Sequence, residues 1–286
     1  MAGESNPINA ITVDVEDYFH VSAFANDIDP SEWDRFEPRA HENVARLLDI
    51  FNEFDVHGTF FVLGWLAERN PQLVRKISDL GHEIGCHGYS HQLIYNQSRS
   101  EFARETKKAK SMLEEITGKP VDGYRAASFS ITQESYWALD ILHEAGFKYD
   151  SSIYPVRHDT YGYRGAEPYP YILTTQLGAR IAEFPISTLN LGLMRVPVGG
   201  GGYFRLYPYP ITRIALSSIN RSGHPFVFYM HPWEIDCEQP RIESNRLSTF
   251  RHYNNIARFE KRLRKLLSQF HFGNMSDVLR NRGLLP

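Results

Sequence analysis

Short apolar runs bounded by turn-forming residues recur along roughly the first 230 positions, separated by stretches in which apolar residues return every three or four positions. The runs 11–15, 59–63, 82–86, 121–125, 147–149, 181–186 and 226–230 have the length and near-continuous hydrophobicity of strands buried on both faces. Between them Val44, Leu47, Leu48 and Phe51 repeat at helical spacing, and Pro71 opens a helix that Gly81 closes. Residues 101–117 and 132–145 read as two further helices, the second stopped by Gly146. Seven strands alternating with helices, with no break in composition, predict parallel β/α units, and so a barrel or an open sheet.

Two segments leave this rhythm. Residues 152–177, rich in Tyr, Pro and Gly, and residues 189–209, with a glycine run at 199–202, read as long loops of the kind that shape a substrate site. No helix with a Lys-Ser/Thr signature follows the glycine run, so it makes a weak phosphate cradle. Near the end Ile256, Phe259, Leu263, Leu266, Leu267 and Phe270 form an apolar stripe, with Arg258, Lys261, Arg262, Arg264 and Lys265 mostly off it. The expected division is a barrel over 1–240 and a helical extension over 241–286 packed on it.

A chain of 286 residues suits one large α/β domain, and 42% hydrophobic with 23% charged residues exclude a disordered or fibrous class. No stretch approaches the ~20 consecutive apolar residues that span a bilayer. The opening MAGESNPIN has neither a basic segment nor an apolar stretch, so no export signal is expected and action in the cytoplasm is. Cys86 and Cys237 are too few for a disulfide framework, and Cys86, inside a strand-like run, reads as simply buried. From Arg241 onward ten Lys/Arg stand against three Asp/Glu, a balance of +7; the formal total of −3 leaves −10 on residues 1–240. A basic tail beside an acidic body is expected to pack on it rather than to bind nucleic acid.

Ionisable residues fall at the strand ends: Asp14, Glu16 and Asp17 at the first, His87 and His91 after the third, Arg125 at the fourth, Asp150 after the fifth, Glu183 in the sixth and His231 after the seventh. In a parallel β/α barrel those ends meet on one face. Two imidazoles four residues apart, in His87-Gly-Tyr-Ser-His91, can bind one cation from the same side of a turn, and Gly85 and Gly88 let the backbone approach. A hydrolytic site needs a carboxylate to complete such a set and leave positions open for water. Strand periodicity pairs Asp14 with Glu16; if the strand has already turned, Asp17 takes that place. At the seventh strand an apolar run delivers His231 against Pro232 and Trp233, an imidazole suited to acid work.

With these residues assembled, the chain resembles the polysaccharide deacetylases of carbohydrate esterase family four, the NodB-homology group. The resemblance rests on Thr12-Val-Asp-Val-Glu-Asp-Tyr-Phe19, Gly58-Thr-Phe-Phe-Val-Leu-Gly64, Gly81-His-Glu-Ile-Gly-Cys-His-Gly-Tyr-Ser-His91, Arg125-Ala-Ala-Ser-Phe-Ser130, Tyr149-Asp-Ser-Ser152 and Tyr229-Met-His-Pro-Trp-Glu234. Gly199-Gly-Gly-Gly-Tyr-Phe-Arg205 and Phe250-Arg-His-Tyr-Asn-Asn255 look like the C-terminal extension of its subfamily from exosortase and PEP-CTERM exopolysaccharide loci.

The resemblance implies a distorted (β/α) barrel of about seven parallel strands with a C-terminal helical extension, removing N-acetyl groups from an exopolysaccharide or its lipid-linked precursor. It implies Asp14 as catalytic base, His87 and His91 with Glu16 or Asp17 as ligands of one divalent cation, Arg125 as holder of the base and His231 as general acid. The cation is expected to be Zn²⁺, with Co²⁺, Ni²⁺ or Mn²⁺ as alternatives, and a backbone N–H after Arg125 is expected to hold the oxyanion. Here the acids are spread over four positions and Ala126 and Ala127 replace the usual proline-rich sequence. No aspartate partner for His231 stands out, so Asp150 and Glu183 are its stand-ins. Tyr203, Trp233 and the tyrosines of 154–171 and 203–209 are expected to stack on sugar rings. The expected partners are an N-acetylated sugar polymer or oligomer and, peripherally, a polysaccharide synthesis complex. The rival readings are an allantoinase-like amidohydrolase acting on a small ureide and a non-catalytic carbohydrate-binding pseudoenzyme. The first kind tends to lose the paired histidines or the aspartate, and a binder needs no base, orienter and acid. A glycosidase using two carboxylates has no need of His87 and His91.

Overall fold

The computed structural model describes residues 7–156, 162–163, 165–192 and 194–286. Most of the opening nonapeptide, and part of the tyrosine-rich loop including Tyr161, lie outside the described residues. The strands are β1 (Asn9–Val15), β2 (Thr59–Val62), β3 (Glu83–Cys86), β4 (Gly123–Tyr124), β5 (Tyr149–Asp150), β6 (Tyr171–Thr174), β7 (Arg180–Glu183), β8 (Thr188–Asn190), β9 (Arg195–Pro197), β10 (Val227–Met230) and β11 (Phe272–Gly273). The main sheet runs β10-β1-β2-β3-β4-β5-β7-β6, with β11 pairing the start of β1. β1, β2, β3, β4, β5, β7 and β10 pair in parallel and answer to the seven runs read from the sequence. They curl into a distorted (β/α) barrel.

Register explains why the polar residues converge. Val15 pairs with Val62, Val62 with Cys86, Cys86 with Tyr124, Tyr124 with Asp150 and Asp150 with Glu183. The strands therefore end on one line, and Glu16, His87, Arg125 and Ser151, each one residue further, emerge along a single edge. β10 stops earlier, with Met230 opposite Val13, which brings His231 up level with Asp14.

The helices are α1 (Ala40–Glu53), α2 (Gly64–Arg69), α3 (Pro71–Asp79), α4 (Arg99–Thr117), α5 (Ala138–Glu144), α6 (Gly201–Leu206), α7 (Tyr209–Arg221), α8 (Arg246–Tyr253), α9 (Phe259–Leu267) and α10 (Met275–Asn281). α1 lays Val44, Leu47, Leu48 and Phe51 against buried strand residues such as Ile11, Val13 and Phe60. α4 is bounded by a capping box between Ser98 and Glu101 and by Gly118 in the left-handed conformation (φ 65°). No described helix is long and apolar enough to cross a membrane.

Local chemistry moved several boundaries. The helix expected over 132–145 starts only at Ala138: Ser135 Oγ accepts from the Thr132 N–H at 2.9 Å and donates to the Ser130 carbonyl at 2.6 Å, holding the preceding residues in turns. The expected loop 152–177 contains β6, antiparallel to β7 across a turn with Gly178 at φ 85°. The loop 189–209 contains β9 and α6. The stripe 256–270 begins as a 3-10 turn, Ile256–Arg258, before α9.

The last segment ties itself to the barrel at both ends. Arg264 pairs with Glu53, Glu260 with Arg46 at 3.0 Å, and Arg262 donates to the Phe204 carbonyl at 2.6 Å. α10 sits where the strands begin: the Met275 N–H donates to Thr59 Oγ1 at 2.8 Å, and Ser276 to Glu83. Met275, Val278 and Leu279 pack there with Ala10, Phe61 and Tyr149, opposite the edge that carries the polar residues.

Candidate active site

Asp14 is the one acidic residue of β1. Its Oδ1 accepts from Arg125 Nη1 at 2.7 Å, and both side chains are almost wholly buried. Arg125 is fixed by the remainder of its fork: Nη1 also donates to Thr12 Oγ1 at 2.7 Å, Nε to the Ser151 carbonyl at 3.1 Å and Nη2 to Ser151 Oγ at 2.9 Å. Its guanidinium lies 4.2 Å over the Phe61 ring.

After Val15 the backbone turns at once, the Glu16 N–H donating to the Asp14 carbonyl at 3.0 Å. The turn delivers Glu16 to the histidines. Ligand atoms of Glu16, His87 and His91, all buried, lie within 4.8 Å of one another. His87 Nδ1 is 2.8 Å from the Arg125 carbonyl, which can only accept, so that nitrogen carries the proton and Nε2 keeps a free lone pair. His91 has the left-handed backbone (φ 52°), a strain that persists only where the surroundings hold it. Its Nε2 faces Glu16 Oε2 at 2.7 Å, yet that oxygen has no aligned hydrogen-bond donor. Two buried lone-pair atoms meeting without hydrogen-bond alignment, with a third imidazole nitrogen alongside, fit a divalent cation held by two histidines and a carboxylate. Burial pulls Glu16 up, but the surrounding imidazoles, His91 foremost with His231 and His87, outweigh it and hold its carboxyl well below the usual carboxylate range. Burial pushes His87 down, toward the neutral form a ligand needs.

His231 faces a carboxylate from each nitrogen: Nε2 is 3.2 Å from Glu16 Oε1 and Nδ1 is 3.3 Å from Glu234 Oε2. Burial disfavours its charged form, but the Glu234 hydrogen bond and the nearby acids prevail and raise it to about 9. Glu234 is in turn paired with Arg205 at 2.8 Å, and Arg205 donates to the carbonyls of His252 and Asn254 at 2.6 and 2.9 Å. Trp233 stacks on His231 at 5.0 Å and 17°, so it supports the imidazole. Neither Glu234 nor Arg205 was read from the sequence as functional. His231 and Glu234 stand three apart around Pro232, the spacing of a capping box, and that was the available signal.

Two expectations about the acids are corrected. Asp17 does not join the histidines: it accepts from the N–H groups of Arg39 and Ala40 at 3.0 Å at the start of α1, and Glu16 is the carboxylate placed beside His87 and His91. Asp150 and Glu183 do not orient His231. As the final residues of β5 and β7 they lie a step short of the polar edge; Asp150 accepts from Ser152 and Glu183 from the Ile153 N–H at 3.1 Å. Burial raises both, Glu183 well above its ordinary range with the Asp150 charge adding to it, so the pair retains a proton and serves the 151–153 loop that holds Arg125. The Ala126 N–H is already given to Ser152 Oγ at 2.8 Å. In the next turn Ser128 and Phe129 take positive φ of 49° and 54°, and the Phe129 N–H closes back on the Ala126 carbonyl at 3.1 Å.

A cavity of about 820 Å³ opens over this cluster. Asp14, Glu16, His87, His91 and His231 line it, together with aromatic side chains that include Trp33, Tyr95, Tyr203, Tyr229 and Phe250. Tyr203 is thus where it was expected, whereas Tyr154 is buried against Phe129 at 5.4 Å and offers no sugar platform. Gly201 lies behind Glu234, and a Cβ there would collide with its carboxylate. Gly201→Ala should therefore displace Glu234 from His231, lowering turnover about tenfold or more with metal content unchanged. Parallel assays of acetate release and metal content check this, and unaltered turnover would show that Glu234 does not govern His231.

Comparison with known proteins agrees with this geometry. Residues 30–149 match the family model described as "Polysaccharide deacetylase", and residues 151–280 one described as a domain of unknown function, DUF3473. A peptidoglycan deacetylase of Helicobacter pylori is 30% identical over 110 residues, 38% of this chain and 36% of that protein. The matched segments span about a third of the length of such curated relatives. Among solved structures, a Mycobacterium smegmatis chain assigned as a polysaccharide deacetylase superposes with a TM-score of 0.66 at 23% identity, covering 100% of this chain and 94% of that one. An allantoinase superposes with a TM-score of 0.62 at 16% identity, covering 98% and 91%. At those identities the superpositions establish the barrel alone. The chain carries a polysaccharide deacetylase domain continued by a DUF3473 domain.

Proposed function

We propose that the protein is a metal-dependent N-deacetylase of an N-acetylated polysaccharide. The observation that carries this is the meeting, in one cavity, of a two-histidine, one-carboxylate donor set with an arginine-held aspartate and a histidine bracketed by carboxylates. Glu16, His87 and His91 would hold the cation, Zn²⁺ foremost, which supplies Lewis acidity toward the acetyl carbonyl and the attacking water. Asp14, fixed by Arg125 through one oxygen, takes the proton of that water with the other. The oxyanion falls to the N–H of Ala127 or Ser128, since the Phe129 N–H is given to the Ala126 carbonyl. His231, charged at neutral pH, protonates the departing sugar amine, without which the amide bond does not break.

The finer reading is an exopolysaccharide or its lipid-linked precursor, processed beside a synthesis complex. It rests on the likeness of 199–205 and 250–255 to the exopolysaccharide-locus subfamily; both stretches border the cavity, through Gly202, Tyr203, Arg205, Phe250, Arg251 and Asn254.

Metal analysis with acetate release from an N-acetylglucosamine oligomer tests the proposal. About one equivalent of divalent metal is expected, with turnover lost on chelation and restored by Zn²⁺. Full turnover in a metal-free preparation would overturn it.

A further inference from the structure

We propose that His20 binds substrate directly, its Nε2–H donating to an acceptor oxygen of the bound N-acetylated sugar; this rests on the deacetylase reading above. His20 lines the same cavity as Glu16, His87 and His91, yet is only 3% exposed. Its Nδ1 accepts from the Asp17 N–H at 2.8 Å, so in the neutral ring the proton sits on Nε2. Nε2 is itself buried and has no hydrogen-bond partner among the described residues. A buried donor left unmade is costly and rare in a folded protein, and at the wall of a cavity the missing partner is the ligand.

The surroundings fix this tautomer and offer no oxygen in return. The Trp33 and Trp65 rings meet His20 edge-on at 4.3 Å (81°) and 5.0 Å (75°), and Phe19 packs at 4.4 Å. Burial in this apolar cage pushes His20 down to about 3, against the pull of Glu16, so it stays neutral. With Nδ1 occupied and Nε2 protonated, the ring has no lone pair to offer as a further metal ligand. A neutral, oriented donor beside the ligand set suits an uncharged acceptor, the acetamide carbonyl or a hydroxyl next to it.

Two variants separate binding from packing. His20→Asn keeps an acceptor near the Nδ1 position for the Asp17 N–H but cannot reach the cavity. His20→Gln puts an amide donor near the Nε2 position and gives up that acceptor. The expected result is a KM for an N-acetylglucosamine oligomer about tenfold higher in His20→Asn, the worth of one hydrogen bond, with metal content and circular dichroism unchanged. His20→Gln should keep most of the affinity despite a lower melting temperature. Calorimetric binding of the same oligomer to metal-free protein should follow the same order. Binding by His20→Asn equal to the parent would mean that a tryptophan ring face already satisfies the donor, and would overturn the inference, as would His20→Gln binding more weakly than His20→Asn. No acetate release by the parent protein would instead remove the deacetylase reading, with the calorimetric order still legible.

Discussion

His87→Ala should lose both the bound metal and acetate release, whereas Asp14→Asn should keep about one equivalent of metal while turnover falls on the order of 10²- to 10⁴-fold. The two residues line one cavity, but the proposal gives them different work. On the proposed reading His87 would contribute one of three ligand atoms, with its tautomer set by the Arg125 carbonyl, and a two-ligand remnant holds a cation poorly. Asp14 lies outside that donor set, bonded to Arg125, and an asparagine there fills the same volume without accepting a proton. Metal stoichiometry and acetate release on the same samples separate the outcomes. Metal loss in Asp14→Asn would make Asp14 a ligand and leave the base unassigned.

The edge on which these groups meet was legible because one rule suffices: strand ends of parallel β/α units face one way, and the apolar runs mark where the strands end. What the pattern could not reach was the direction of each side chain once the strand had ended. Period-two alternation stops at Val15, and the turn closed by the Glu16 N–H on Asp14 decides that Glu16 joins the histidines and Asp17 caps α1. Asp150 and Glu183 misled because they are the last residues of their strands rather than the first beyond them, a one-residue offset that buries a carboxyl instead of presenting it. Arg205 depends on backbone carbonyls some fifty positions away in α8 and beyond, contacts that local periodicity does not encode.

The family boundary near residue 150 cuts through the site. Asp14 and Glu16 precede the first matched segment, His87, His91 and Arg125 lie within it, and His231, Glu234 and Arg205 lie in the DUF3473 segment. That segment also contributes β7 and β10, two strands of the barrel, and with them the acid side of the cavity. The paired histidines and His231 therefore come from differently matched stretches of one sheet, Asp14 and Glu16 from neither, and no one stretch holds the whole cluster.

Arg125→Met should be the most destabilising single change at the site. The guanidinium is fully buried and answers Asp14, Thr12 and Ser151 together, so methionine fills its volume but leaves the Asp14 carboxylate buried without a counter-charge. Removing one partner of a buried pair costs about 3–5 kcal/mol, against about 1 kcal/mol for a typical surface change. Turnover should vanish with it, since the Asp14 carboxylate loses the hydrogen bond that holds it in place. The companion Asp14→Asn/Arg125→Met protein removes the orphaned charge as well and should regain a substantial part of that stability while remaining inactive. Urea-denaturation midpoints of the two single variants and the double give the coupling directly. Strictly additive losses would mean that Arg125 is held by Ser151 and Thr12 alone, and that the aspartate–arginine contact contributes nothing to the stability of the fold.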